Sequence, residues 1–338
     1  MRCIIGELAL PLLWAAAAPA VGYAQDLERL PRSDRVRLAE AMRLADQLRG
    51  QVWPGWERTM MPVLLVSGSA EFLVGHPRPT GDFVPLGYDP LLERDVWTRP
   101  RQFSPTLLAT FPAVGGVPTI VIGSAASTGK SSTGWVLTVL HEHFHQWQYS
   151  QQEYYARAAR LDLARGDTTG QWMLDYSFPY GSDPVQRVVR RLSAALLRAL
   201  EAPPPGRVEA LKDVITARDD LRGRLTAVDY RYFEFQLWQE GVARFIEYAA
   251  ARAAAELDDP SAEFRRLRDY QPYSAAARKA LSQLRQELEQ LDVGQQGRVA
   301  FYPIGAAMAL LLEETRPDWK QAYTEQPFAL AALLSARR

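Results

Sequence analysis

Cysteine is almost missing from this chain. Of 338 residues, Cys3 is the one example, and it stands ahead of an apolar run at the N-terminus. A single cysteine excludes a disulfide scaffold and any metal site built on paired thiolates. Lysine is nearly as scarce, confined to Lys130, Lys212, Lys279 and Lys320, so arginine carries most of the positive charge. The 39 basic and 39 acidic side chains cancel, and the isoelectric point lies near 6.9. Neither nucleic acid nor an anionic membrane surface is therefore an expected partner. Histidine is limited to His76, His141, His143 and His145, and the last three fall within five positions of one another.

The N-terminus reads as an export signal. Arg2 supplies a thin positive region, and Leu8 to Val21 is apolar apart from small residues and prolines. Gly22-Tyr23-Ala24 then offers small residues where a signal peptidase reads them. The expected signal peptide is 1–24, with Ala18-Pro19-Ala20 as a second cleavage site and an uncleaved anchor as the alternative. The run is short for a membrane span, and no later stretch approaches the needed length. The expectation is an exported protein, periplasmic or secreted, with no integral membrane segment once the signal is cleaved. Cleavage would also remove Cys3, which excludes thiol catalysis in the mature chain and leaves its stability to a hydrophobic core.

The remainder divides by pattern into a small β-containing N-terminal lobe, with a leading helix, over 25–115 and a mostly helical domain over 116–338. Ser33 is expected to cap a helix over 34–49 that ends at Gly50. Strands are expected at 62–67 and 71–74, with irregular chain continuing to Phe111. His76 sits in a proline-rich loop and reads as structural or exposed. Val117–Gly123 is another strand, and Pro118 in it argues for a sheet edge, because proline cannot donate to a ladder. The following Gly129-Lys130-Ser131 resembles a phosphate loop but fails, since Ser124 occupies the position of its first glycine. Helices are expected over 183–200, 207–225, 230–256, 261–269, 274–291 and 302–314. The fold class is therefore α+β.

The chemistry is concentrated in His141-Glu142-His143-Phe144-His145, an H-E-x-x-H motif. Leu137, Leu140, Phe144 and Trp147 recur at helical spacing, so the motif lies on a helix with one face turned inward. On that helix His141 and His145 project from the same side and can hold two corners of a zinc tetrahedron. Glu142 is turned about 100° away, beside the open coordination position rather than on the metal. His143 points away and is not expected to bind. A catalytic zinc needs a third protein ligand. Gln148 and Gln151 fill the positions at which a metzincin carries its glycine and third histidine, so a carboxylate is required. Glu153, Asp162, Asp167 and Asp175 lie close in sequence without a helical frame that returns to the site. Glu240 is better placed, with Gly241 beside it to let its helix approach the zinc helix closely and Glu247 two turns along the same face. Glu234 and Glu247 remain the alternatives.

Trp238-Gln239-Glu240-Gly241-Val242-Ala243-Arg244-Phe245-Ile246-Glu247-Tyr248 resembles the Asn-Glu-Gly-Phe-Ala-x-Tyr-x-Glu signature of the aminopeptidase N family of gluzincins. Tyr302-Pro303-Ile304-Gly305-Ala306 resembles that family's Tyr-x-Lys-Gly-Ala stretch, and all three blocks occur in the family's order. The resemblance implies a divergent gluzincin with a thermolysin-like zinc-peptidase core and one Zn2+ per chain. It implies His141, His145 and Glu240 as ligands, Glu142 as general base and Tyr302 as hydrogen-bond donor to the oxyanion; a buried core tyrosine is the other reading of Tyr302. The implied partner is a peptide or protein substrate. The chain departs from the family where Ile304 replaces the lysine, where Glu240 lies far downstream of His145, and where the Gly-x-Met-Glu-Asn segment that grips a free amine has no counterpart near Val117–Gly123. Two rival readings are a catalytically inactive binding or scaffold protein on the same fold, and a zinc hydrolase of another bond.

Overall fold

The computed structural model describes residues 29–335, so the expected signal segment 1–24 lies outside the described residues. The architecture is α+β: one six-stranded mixed sheet followed by a helical assembly. Helix α1 (Arg32–Val52) leads into β1 (Val63–Ser67), β2 (Ala70–Val74), β3 (Val84–Asp89), β4 (Arg94–Pro100), β5 (Leu108–Val114) and β6 (Val117–Gly123). The strand order is β3-β4-β2-β1-β6-β5; β1 and β6 run parallel, and every other pair is antiparallel. Four helices follow, α2 (Ser132–Ser150), α3 (Tyr154–Ala159), α4 (Trp172–Asp175) and α5 (Asp183–Glu201), and then α6 (Pro204–Arg224) and α7 (Ala227–Gln236). A π-helical segment, Leu237–Gly241, joins α7 to α8 (Val242–Leu257). The chain ends in α9 (Ala262–Arg265), α10 (Tyr273–Glu289), α11 (Val293–Gln296), α12 (Phe301–Thr315), α13 (Trp319–Glu325) and α14 (Leu330–Leu333). Among the described residues no helix is long and apolar enough to cross a membrane.

Two expectations about the sheet are corrected. The stretch read as irregular up to Phe111 contains β3, β4 and most of β5, whose mixed polar and apolar residues do not alternate cleanly. The strand read as an edge, Val117–Gly123, is interior, lying between β1 and β5. Its pairing with β1 begins only at Ile120, opposite Val63, so Pro118 lies beyond the end of β1 and no ladder bond to that strand is lost. On the other side, Pro118 falls where the β5–β6 register shifts between Phe111 and Val114. Proline thus excluded one position, not the whole strand. The edge beside the helices is β5, and the expected division at 115/116 falls inside the β5–β6 hairpin.

Helix boundaries moved where proline was involved. The α1 helix starts at Arg32, and the Pro31 carbonyl accepts from the Asp34 and Arg35 amides, so Ser33 is in the first turn and not the cap. Pro204 and Pro205, expected to stop one helix, instead open the next, since a first-turn proline gives up no intrahelical bond. The expected helix over 261–269 shrinks to the single turn of α9.

The α2 helix is buried all round, not on one face as its apolar spacing suggested. It packs on β5 and β6 with one side and on α1 and α8 with the other. Trp53, Phe144, Trp147, Trp319 and Tyr323 interlock on its helical side, Trp53 meeting the other four edge-on at centroid distances of 4.9–5.4 Å. Total burial makes partners for the polar groups on α2 valuable, because an unpaired buried donor or acceptor costs about 1–3 kcal/mol. Gln146 answers by donating to the carbonyls of Pro62 and Pro118, both at 3.0 Å, which pins the helix to the sheet. His76 is buried too, with Nε2 3.2 Å from the Val114 carbonyl and Nδ1 accepting from the Arg78 amide. It ties its loop to the β5–β6 turn and plays no part at the site.

Candidate metal centre

Three side chains from two helical segments meet at one point. His141 and His145 rise from α2 with their Nε2 atoms 3.1 Å apart. Glu240 Oε2 lies 3.8 Å from His141 Nε2 and 3.5 Å from His145 Nε2. A zinc ion bound at 2.0–2.1 Å in a tetrahedron would set its ligands about 3.3 Å apart. The three edges bracket that value, so the donor set fits zinc in chemistry and in spacing. Among the described residues, these three are the group of histidine and acidic side chains that could hold a metal ion.

The outward ring nitrogens are as well defined as the inward ones. His141 Nδ1 lies 2.9 Å from Glu247 Oε1, and His145 Nδ1 lies 2.6 Å from Gln148 Oε1. Glu247 favours a proton on His141 Nδ1 and so leaves that ring's Nε2 lone pair facing the centre, whereas His145 Nδ1 meets both the Gln148 oxygen and, at 3.0 Å, the Gln239 amide nitrogen. The acceptors are themselves held. Arg244 donates to Glu247 Oε2 at 2.8 Å and reaches Glu287 at 3.2 Å. The Gln148 amide nitrogen lies 3.0 Å from the carbonyls of both Trp238 and Gln239 and 2.7 Å from the Tyr323 hydroxyl, and its two N–H groups are shared among these three acceptors. The Gln239 amide donates to Gln148 Oε1 at 3.0 Å, and the Tyr154 hydroxyl donates to Gln239 Oε1 at 2.8 Å. Gln148 therefore joins the motif helix to the segment that carries Glu240.

That segment is the π-helical insertion Leu237–Gly241. A π-bulge adds one residue to a helical turn and commonly marks a functional position. Gly241 was expected to let its helix approach the motif helix closely, but the close neighbour it meets is α12. A Cβ on Gly241 would lie 2.4 Å from Gly305 Cα, and one on Gly305 would lie 2.6 Å from Gly241 Cα. The two helices therefore touch backbone to backbone, and α12 brings Tyr302 in beside Glu240.

Opposite charges stabilise one another at this point. Burial opposes ionisation of Glu240, yet the two histidines hold its carboxyl well below the ordinary range. Glu247 is likewise pushed down to about 2 against burial, by Arg244 and His141. Burial also opposes the His141 imidazolium, but Glu240 and Glu247 outweigh it and push the ring up to about 10.

Glu142 sits next to this cluster. Thr110, on the edge strand β5, places its hydroxyl 2.9 Å from the Glu142 carbonyl and 2.9 Å from Glu142 Oε2. The hydroxyl thus fixes the carboxylate and ties β5 to the motif helix. His143 points elsewhere, pairing with Gln146 through Nδ1 at 2.8 Å. Of the alternative acids, Glu247 supports His141 from outside the donor set. Glu234 turns away, accepting from the Tyr230 hydroxyl at 2.7 Å and the Ala331 amide at 3.0 Å. Tyr302 is half-buried in the first turn of α12, where burial and the Glu240 charge push its phenol well above the ordinary range.

Thr110 and the supporting roles of Gln148 and Gln239 went unread in the sequence. They carried no signal there, because they act across long sequence separations. No protein-family model, curated protein or solved structure matches the chain.

Proposed function

We propose that this chain is a zinc-dependent metallopeptidase of divergent gluzincin type, holding one zinc ion through His141, His145 and Glu240. The observation that carries the reading is the paired orientation of the histidines, whose Nε2 atoms face Glu240 while Glu247 and Gln148 engage their Nδ1 atoms. A chance cluster of surface histidines has no reason to carry such supports. Zinc, when bound, would supply the positive charge that acidifies a water and polarises a carbonyl. Glu142, steadied by Thr110, accepts the proton of the attacking water and returns it to the leaving amine. Tyr302 stays protonated beside Glu240 and donates to the oxygen on which negative charge develops. The β5 edge, which carries Thr110, offers unpaired backbone groups against which an extended peptide can lie.

The test is turnover of a mixed peptide library by the purified protein, alone, with a chelator, and after zinc is restored. Cleavage that the chelator stops and zinc recovers is the expected result. A zinc-loaded protein that cleaves no peptide favours the binding-protein or other-bond reading and rejects this one.

A further inference from the structure

Arg298 is the unexplained charge beside the site. It lies in the 3-10 turn Gly297–Ala300 that feeds α12, and its side chain is partly buried. Its Nη1 donates to the Tyr302 hydroxyl at 2.5 Å, and its guanidinium lies 5.7 Å from the centre of the Tyr302 ring. Among the described residues that is its one side-chain hydrogen bond, and no carboxylate comes within ion-pair distance of it. The acid that reaches it from farther off is Glu240, which together with Tyr302 holds the guanidinium ionised against burial, so Arg298 faces the candidate site and not a structural ion pair.

We infer that Arg298 is a positioning residue that fixes the direction in which Tyr302 donates. A phenol hydroxyl has one proton and can also accept, whereas a guanidinium can only donate. With Arg298 donating to the oxygen, the hydroxyl proton is left for the other side, where it reaches the Glu240 carboxylate and so faces the donor set beside which the oxyanion would form. A hydroxyl that accepts from a cation is also polarised into a stronger donor. This inference rests on the reading of Tyr302 as the oxyanion donor and extends it by one residue.

The test is a double-mutant cycle on the zinc-loaded full chain, using a peptide that the wild type cleaves. The variants are Arg298→Ala, Arg298→Lys, Tyr302→Phe and the Arg298→Ala/Tyr302→Phe double. Zinc content, thermal melting and calorimetric affinity for a phosphinic analogue of the same peptide are measured alongside. Arg298→Ala should lower kcat by about tenfold, within the range for weakening one oxyanion donor, and leave KM nearly unchanged. Affinity for the phosphinic analogue should fall by a similar factor, with zinc content and melting kept. Arg298→Lys should recover part of the loss. In the Tyr302→Phe background, Arg298→Ala should cost nothing further. Equal losses in both backgrounds, a raised KM with kcat intact, or wild-type kinetics would each overturn the role of Arg298. Wild-type kinetics for Tyr302→Phe itself would instead remove the oxyanion reading on which the inference stands.

Discussion

Gly241 and Gly305 cross with no room for a side chain on either, each taking the space where the other's Cβ would stand. This contact sets the distance between the segment carrying Glu240 and the helix carrying Tyr302. Gly305→Ala puts a methyl 2.6 Å from Gly241 Cα and 2.8 Å from the Leu237 carbonyl, both backbone atoms. The helices must separate, at a cost of about 1–3 kcal/mol for overpacking. The expected outcome is a lower melting temperature together with weaker zinc retention. A variant that melts lower yet holds zinc like the wild type would mean that the crossing does not position Glu240.

Glu247→Gln tests the support behind His141. The amide keeps an oxygen for the Nδ1 proton but loses the charge, and Arg244 loses one of its two acidic partners. Zinc affinity should drop by about 10–100-fold, as when an outer partner of a metal ligand is altered. Competition titration against a chromogenic chelator measures it. Complete loss of zinc would promote Glu247 to a ligand.

Glu142→Gln should bind zinc normally and lose at least about a hundredfold in kcat, since the amide cannot take a proton from water. Thr110 can donate to the amide oxygen as it does to the carboxylate, so the fold should be undisturbed. Loss of zinc in this variant would make Glu142 a ligand.

Blocking a peptide's N-terminus should not abolish cleavage. The amine-gripping glutamate has no counterpart near β6, and both acids that might replace it are engaged. Glu234 holds Tyr230 and Ala331, and Glu247 holds His141 and Arg244. A charge-assisted amine contact is worth about 1.5–3 kcal/mol, or roughly ten- to a hundredfold in rate. Matched free and acetylated peptides should therefore be cleaved at similar rates. Cleavage of the free form alone would show that an amine site exists elsewhere.

What the sequence made legible was local. The H-E-x-x-H spacing placed two imidazoles on one side of a helix, and Gly241 marked a close approach. The partner of Gly241 was misassigned because a glycine announces proximity without saying to what. The sheet was read incompletely, since β3 and β4 lack clean alternation, and Pro118 misled because strand order cannot be read from one residue. The supports of the site were invisible for the same reason. Thr110 and Gln148 gain their roles only when β5 and the π-helical segment arrive beside α2.

The central claim is a single zinc held by His141, His145 and Glu240, and metal content after exhaustive dialysis tests it most directly. Elemental analysis of the wild-type protein should give one zinc per chain, and the separate variants His145→Ala and Glu240→Ala should each give almost none, because two remaining ligands do not retain zinc. Stoichiometric zinc in either variant, or none in the wild type after zinc is supplied, would contradict the account.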